Sequence, residues 1–418
     1  MRLSARIIAS VLLFTPGIWA QVRLTLADAI SEALAGNPQI VTAGARVEVA
    51  EGLRRQAGMA PNPRLTLQSE NGRFWGNPPF SYSPDADSLA LLAQTFETGG
   101  KRKRRVESAM ANVQRSKLEE DVLRRQIVSR VSGAYWAASG AVKAKDLLQR
   151  ELENFERVVE YNRSRVKEGA APEVDLLRIE VERDRLTSSV KIAQQDADRA
   201  TIALFREMGK TEFPSVEFVD SLDEVRPVPI IPLAEVLERR PVMQLARKAI
   251  DLAWANLRLQ KANAKPDPDV EVGYKRTAAV GVVANGGVAV NTLYGSIQIP
   301  LPIRNRNQGQ INAAVAEIKA AESSLATTEA LVRSELATAE KDYNSRKRLL
   351  EETLRPMRDR AQQVYDISDA AYRERGTDIL RLLDAERARI DAQLLYIRTL
   401  TEYQLSAVSL QTAEGLLP

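Results

Sequence analysis

The feature that most constrains this 418-residue chain is that it is written twice. Leu26-Ala27-Asp28-Ala29 returns as Leu233-Ala234-Glu235-Val236, Asn37-Pro38 as Arg240-Pro241, and Pro61-Asn62-Pro63 as Pro266-Asp267-Pro268. Gly169 with Asp175-Leu176-Leu177 returns as Gly376 with Asp378-Ile379-Leu380, so every match falls at a spacing of roughly 205 residues. Chance does not hold four matches at one spacing. The chain must build two halves of similar structure, at about 21–226 and 227–418, meeting near Pro227-Val228-Pro229.

Each half reads in the same order: a helix, a Pro-x-Pro break, two strands forming a hairpin, then two long helices. In the first half the opening helix runs from about Leu26 to Ala57 and is split at Asn37-Pro38, because proline cannot continue a hydrogen-bonded helix interior. The hairpin falls at about 64–96, with Leu65, Leu67 and Ser69 alternating against Thr66, Gln68 and Glu70 and a weaker alternation from Ser88 to Phe96. Phe74, Trp75, Phe80 and Tyr82 lie in the connection.

In the second half, at about 270–301, Val270, Val272 and Tyr274 alternate with Glu271, Gly273 and Lys275. Leu293, Gly295, Ile297 and Ile299 alternate with Tyr294, Ser296 and Gln298, and Asn285-Gly286-Gly287 predicts a tight turn between the two runs.

The long helices are predicted at about 101–168, 173–208, 309–375 and 377–413. From Ile127 to Val166, steps of four and three land on apolar residues at every position except Lys145 and Asn162. The rhythm resumes through Leu176, Ile179, Leu186, Val190 and Leu204, and in the second half through Ile311, Ile318, Leu325 and Val332, then Ile379, Leu382, Ile390 and Ile397. Sustained seams of this kind mean coiled-coil-like packing. At 1.5 Å per residue the stretch from Lys101 to Lys167 is roughly 100 Å long, which suits a bridge across a gap.

The first twenty residues read as a secretory leader: Arg2 and Arg6, an apolar run from Ile7 to Phe14, and Trp19-Ala20 before a cleavage point at Gln21. Of 59 basic side chains only Arg2 and Arg6 lie in the leader, so the exported chain keeps 57 against 55 acidic. That near-neutral balance gives no reason to expect nucleic acid as a partner. With no cysteine the chain has neither disulfides nor a thioether-linked lipid anchor. With no histidine either, nucleophilic triads and zinc sites lose their usual members, so no enzyme and no cofactor is predicted.

Beyond the leader no stretch of about 20 apolar residues exists, so any membrane crossing must use strands. Four amphipathic strands cannot close a barrel, and closed membrane barrels start at about eight strands. The barrel must be shared between chains, two copies being the minimum and three giving twelve strands; a small soluble β-layer capping a helical bundle is the alternative. The run Gly99-Gly100-Lys101-Arg102-Lys103-Arg104-Arg105 puts five cations at a helix start, against the helix dipole. They suit either anionic lipid headgroups where barrel becomes helix or a solvated basic face.

Taken in order, these features resemble the TolC-type outer-membrane efflux channel family across essentially the whole exported chain. The motifs that carry the likeness are the Pro-Asn-Pro entry to the hairpin and Phe96-Glu97-Thr98-Gly99-Gly100-Lys101-Arg102 leaving it. Tyr372-Arg373-Glu374-Arg375-Gly376 followed by Leu382-Leu383-Asp384-Ala385 adds to them. Gly-Gly-Lys-Arg, with Pro356 interrupting the long second-half helix, is similar to the heavy-metal (cobalt–zinc–cadmium) branch.

The resemblance implies an α+β membrane protein: a shared β-barrel, four strands per chain, on a long helical periplasmic barrel. It implies a homotrimer docked to a periplasmic adaptor and an inner-membrane resistance-nodulation-division pump, the channel serving as a passive gated conduit. It places a constriction beside the glycine-bearing turns, where Asp384 matches an acidic lumen position. Arg381, one turn earlier, departs from the acidic pattern, and Asp378, Asp175 and Arg178 lie nearby. An acidic ring selecting cations, an Asp384–Arg381 lock, and ordinary surface charge are all open readings of these residues. Without His or Cys, any choice among metal ions falls to the partners. Drug efflux, type I protein secretion, and an exported coiled-coil scaffold or adaptor without a pore are the alternative functions.

Overall fold

The computed structural model describes residues 22–72, 75–76, 79–279, 288–374 and 376–417. The leader, Phe74, Arg375 and the expected Asn285-Gly286-Gly287 turn lie outside them. In chain order the elements are β1 (Val22–Leu24), α1 (Leu26–Gly36), α2 (Pro38–Ala57), β2 (Arg64–Glu70), the short α3 (Tyr82–Asp85), β3 (Asp87–Thr95), α4 (Lys101–Lys167) and α5 (Glu173–Glu207). They continue as β4 (Val216–Phe218), α6 (Leu233–Arg239), α7 (Pro241–Asn263), β5 (Asp269–Ala279), β6 (Val288–Gln298), α8 (Gln308–Arg348), a π-helical turn (Leu349–Leu354), α9 (Arg355–Arg373) and α10 (Ile379–Glu414).

Proline sets the same break in both halves. Pro38 begins α2 straight after Asn37 closes α1, and Pro241 begins α7 after Arg240 closes α6, because a first-turn proline forgoes an N–H that has no helical partner anyway. Pro356 acts differently. The chain stays helical through it, and the missing donor is absorbed by the π-helical turn immediately ahead, so the expected interruption is a bulge and not a stop.

The chain divides into two compact units, one from Gln39–Arg124 and Ile230–Leu336, the other from Met1–Pro38, Arg125–Pro229 and Ala337–Pro418. The first holds a four-stranded antiparallel sheet in the order β2-β3-β5-β6, in which β3 pairs with β5 and so fuses the hairpins of the two halves. Register places Leu65, Leu92, Val272 and Gly295 in one row and Leu67, Ala90, Tyr274 and Leu293 in the next, so across these two rows the face is apolar from edge to edge, before the polar row Ser69, Ser88, Arg276 and Asn291.

That face is bare: Leu293 is 86% exposed and Leu67 73%. The opposite face carries Thr66, Gln68, Glu271, Lys275, Thr292 and Ser296. The weak alternation of β3 has a cause, since Leu91 and Ala93 on this second face are themselves buried, and Gly273 leaves the space that Leu91 enters. Among the described residues no helix is long and apolar enough to cross a membrane.

At the strand-to-helix junction the basic run is largely paired. Lys101 Nζ donates to Asp267 at 2.6 Å, Arg104 pairs with Glu107 at 2.7 Å, and Arg105 grips Glu97 while donating to the carbonyls of Ala57 and Met59 at 3.1 Å each. Asp267 also accepts the Thr98 N–H at 2.7 Å. Lys101 thus ties the start of α4 to the Pro266-Asp267-Pro268 entry of the second hairpin, and Arg105 ties it to the first hairpin's two ends.

The second unit contains a pairing too short and too distant for the sequence to announce. Three-residue β1 runs parallel to β4, and Tyr135 of α4, fully buried, donates to Leu24 O at 3.1 Å and to Asp220 at 2.8 Å. Burial pushes the Tyr135 phenol strongly up, so it stays a donor. Asp220 in turn accepts the Leu26 N–H at 2.6 Å, and a Thr25–Asp28 capping box starts α1.

Candidate pore constriction

Two helical turns define the site. The turn that closes α4 carries Gly169, whose φ of +72° is open to glycine at little cost, and the Ala170 N–H returns to Arg165 O at 2.7 Å. α9 ends similarly, with the Gly376 N–H returning to Ala371 O at 2.7 Å, and Asp378 then caps α10 by accepting the Arg381 N–H at 3.0 Å. Behind the turns Phe155 and Val159 of α4, Ile179 and Leu186 of α5, and Ile379, Leu382 and Leu383 of α10 form one apolar core. The heptad seams predict this core.

The charged residues singled out by the sequence lie on the rim of that core. Asp175 stands 3.8 Å from Arg178 on the first turns of α5. Asp384, 75% exposed, stands 3.7 Å from Arg387, and Arg381 is exposed one turn earlier on α10. The partner of Asp384 within the chain is thus Arg387, and Arg381 engages Asp378 through its backbone. Ile179 and Ile379 bring the first turns of α5 and α10 into one core, so Asp175 and Asp378 begin adjacent helices.

Sequence reasoning missed the contacts that tie the helices together. Arg387 of α10 binds both carboxylate oxygens of Glu182 on α5, one through Nε at 2.9 Å. Arg163 of α4 reaches Glu180 of α5 at 3.0 Å. Between α4 and α9, Tyr372 donates to Asn162 Oδ1 at 2.6 Å and accepts from Arg165 at 3.2 Å. Asn162 was visible as a polar residue in an apolar seam; its partner was not.

The most unusual group is buried. Arg389 of α10 binds Glu151 of α4 with two nitrogens and Glu386, one turn back, at 2.9 Å; the three side chains are 9%, 7% and 8% exposed. The guanidinium also lies 4.4 Å from the ring centre of Tyr365 on α9. Burial alone would pull the guanidinium down, but its two carboxylates hold it protonated. Burial raises the Glu386 carboxyl above the usual range despite Arg389, and pushes the Tyr365 phenol up to about 12. A signal existed: continuing the steps from Ile379 and Leu382 by four and three lands on Glu386 and Arg389, two charges in a seam.

An open-edged sheet with a bare apolar face, joined in one chain to paired helical hairpins, is the build of an outer-membrane efflux channel. The chain belongs to the outer membrane efflux protein family, whose model matches residues 29–210 and 233–416. It is 26% identical to the cobalt-zinc-cadmium resistance protein CzcC of Cupriavidus metallidurans over 397 residues, covering 94% of this chain and 90% of that protein. It is 23% identical to the nickel-cobalt-cadmium resistance protein NccC of Alcaligenes xylosoxydans xylosoxydans, covering 77% of this chain and 70% of NccC. Among solved structures, CusC shares the fold with a TM-score of 0.75 at 19% identity, covering 97% of this chain and 95% of that one. The outer-membrane channel OprN does so with a TM-score of 0.73 at 20% identity, covering 93% and 89%.

Proposed function

We propose that the chain is the outer-membrane component of a tripartite efflux system, a passive gated conduit from periplasm to exterior for heavy-metal cations. Three copies supply twelve strands to one barrel, an adaptor protein joins it to a resistance-nodulation-division pump, and the pump drives transport. The observation that carries this reading is the sheet β2-β3-β5-β6, with an exposed apolar face and two unpaired edges. In lipid each unpaired backbone group costs several kcal/mol, so further copies must close the ring, three of them in this reading. The metal substrate rests on the likeness to CzcC and NccC across most of the chain.

The constriction in this reading lies at the Gly169 and Gly376 turns. Asp384 and Asp175 present carboxylates there, Arg381 and Arg178 temper their charge, and Asp378 fixes the start of α10. Rings of such carboxylates in a narrow pore favour cations. The test is deletion of the gene in its host, followed by growth on graded cobalt, zinc and cadmium and on lipophilic drugs. Sensitivity to the metals, restored by the gene on a plasmid, supports the proposal. Sensitivity to drugs alone assigns the channel to drug efflux, and a monomer absent from the outer-membrane fraction removes the channel reading altogether.

A further inference from the structure

The buried Glu151–Arg389–Glu386 trio stands apart from the constriction charges and interrupts an otherwise apolar helix seam. Replacing a buried ion cluster by apolar residues is often neutral or stabilising, so a helix seam gains no obvious strength from one. Its composition is unbalanced, with two carboxylates sharing one guanidinium, and Arg389 Nε is buried without a hydrogen-bond partner. Its position is specific. Arg389 is held from α4 by Glu151 and lies over Tyr365 of α9, about one and a half turns along α10 from Asp384. On the turn side of the trio α10 is held by Leu382 and Leu383, and the Arg387–Glu182 bridge lies level with the trio itself, between Glu386 and Arg389.

We propose that Arg389 is the positioning residue of the constriction: with Glu151 and Glu386 it pins α10 to α4 and α9, so that opening moves only the segment from Asp378 to Ala385, and a proton taken up by the trio tightens the pin. This rests on the constriction lying at the Asp384 turn. The proton comes from bulk water and settles on the Glu386 carboxyl, leaving Arg389 matched one to one with Glu151. No covalent bond forms or breaks beyond that O–H.

The surroundings favour this site for the proton. From α9 the trio faces Tyr365 and Asp369, and Asp369 adds negative charge. Arg157 of α4 lines the groove on the Arg389 side, together with Tyr372 and Arg373 of α9. Glu182 and Arg185 of α5, with Arg387 and Asp391 on α10 itself, line the groove that Glu386 borders. Around Glu386, burial and the neighbouring acids outweigh the pull of Arg389, so this carboxyl takes up a proton at a higher pH than an ordinary glutamate does.

The experiment reads single-channel opening of the purified, reconstituted protein in planar bilayers between pH 7.5 and pH 5, for the wild type, Glu386→Gln, Arg389→Met and Asp384→Ala. The expected result is that wild-type openings become several-fold rarer on acidification, and that Glu386→Gln, a permanent mimic of the loaded carboxyl, is equally quiet at every pH. Arg389→Met opens more often at acid pH. Wild-type pH response in Glu386→Gln overturns the proposal. Because Arg389→Met risks misfolding, the thermal midpoint of Glu386→Gln is measured alongside. Its difference from the wild type must shrink as pH falls, and a constant difference also overturns the proposal. Asp384→Ala separates the two readings: loss of cation preference with the pH response intact supports both, whereas unchanged conductance with the pH response intact removes the constriction assignment and leaves the trio as a proton-sensitive pin elsewhere.

Discussion

Arg165 and Tyr372, which stand at matching positions four residues ahead of Gly169 and Gly376, touch each other: the guanidinium donates to the phenol at 3.2 Å. The two halves of the repeat therefore meet at equivalent points, as the faces of an isologous dimer do. Gene-level duplication has become an internal near-symmetric contact, and the polar seam residue Asn162 completes it by accepting the Tyr372 proton.

Tyr372→Phe tests that contact. It strips the proton donor from Asn162 and the acceptor from Arg165 while keeping the ring, and is expected to cost about 1–2 kcal/mol in denaturant unfolding. Faster tryptic cleavage at the Arg373 turn should accompany the loss. Wild-type stability and cleavage would show the contact to be incidental.

Asp384→Ala is expected to lower cation preference in bilayer recordings, since this carboxylate is exposed and only loosely matched by Arg387. Unchanged conductance and unchanged selectivity remove Asp384 from the constriction.

Breaking the helix bridge should act in the opposite sense to tightening. In Glu182→Gln the bidentate partner of Arg387 is lost, and openings are expected to be longer and more frequent at neutral pH. Closed-channel behaviour equal to that of the wild type would exclude the bridge as a restraint.

The junction should weaken in acid. Burial pulls the Asp267 carboxyl upward, but the bonds from Lys101 and the Thr98 N–H outweigh it and hold it below the usual aspartate range. A depressed carboxyl contributes stability that is complete above its ordinary value of 3.8 and is lost as pH falls through its folded-state value. Asp267→Asn should be less stable at neutral pH and lose less between pH 4 and pH 2, followed by thermal unfolding. Parallel acid limbs would refute this assignment.

Gly273→Ala probes the seam between the two hairpins. A Cβ there would lie 2.1 Å from Ala90 O and 2.7 Å from Leu91, so backbone must shift, at about 3 kcal/mol or more. Loss of the assembled oligomer on unheated gels is the expected outcome; a normal yield would mean that β3 and β5 separate easily.

What the sequence disclosed and what it hid divide along physical lines. The repeat, the alternating strands and the heptad seams are local periodicities, and Leu65, Val272, Ile179 and Ile379 lie where those periods put them. Glu151 and Arg389 are 238 residues apart; Arg389 falls on an apolar seam but Glu151 reads alone as a solvated helix charge, and only the fold reveals that they share a core. β1 and β4 are too short to show a period. Pro356 signals a helix defect but not its kind, because whether a bulge or a stop follows depends on how the neighbouring turns pack.

The sheet order β2-β3-β5-β6 leaves two bare margins, and this has a kinetic consequence. In the proposed shared barrel the strands of one chain find their last hydrogen bonds only on another molecule. On that proposal the closing step of maturation quickens with the amount of polypeptide present, and dilute chains linger half-finished, with adhesive flanks needing protection until enough sisters arrive.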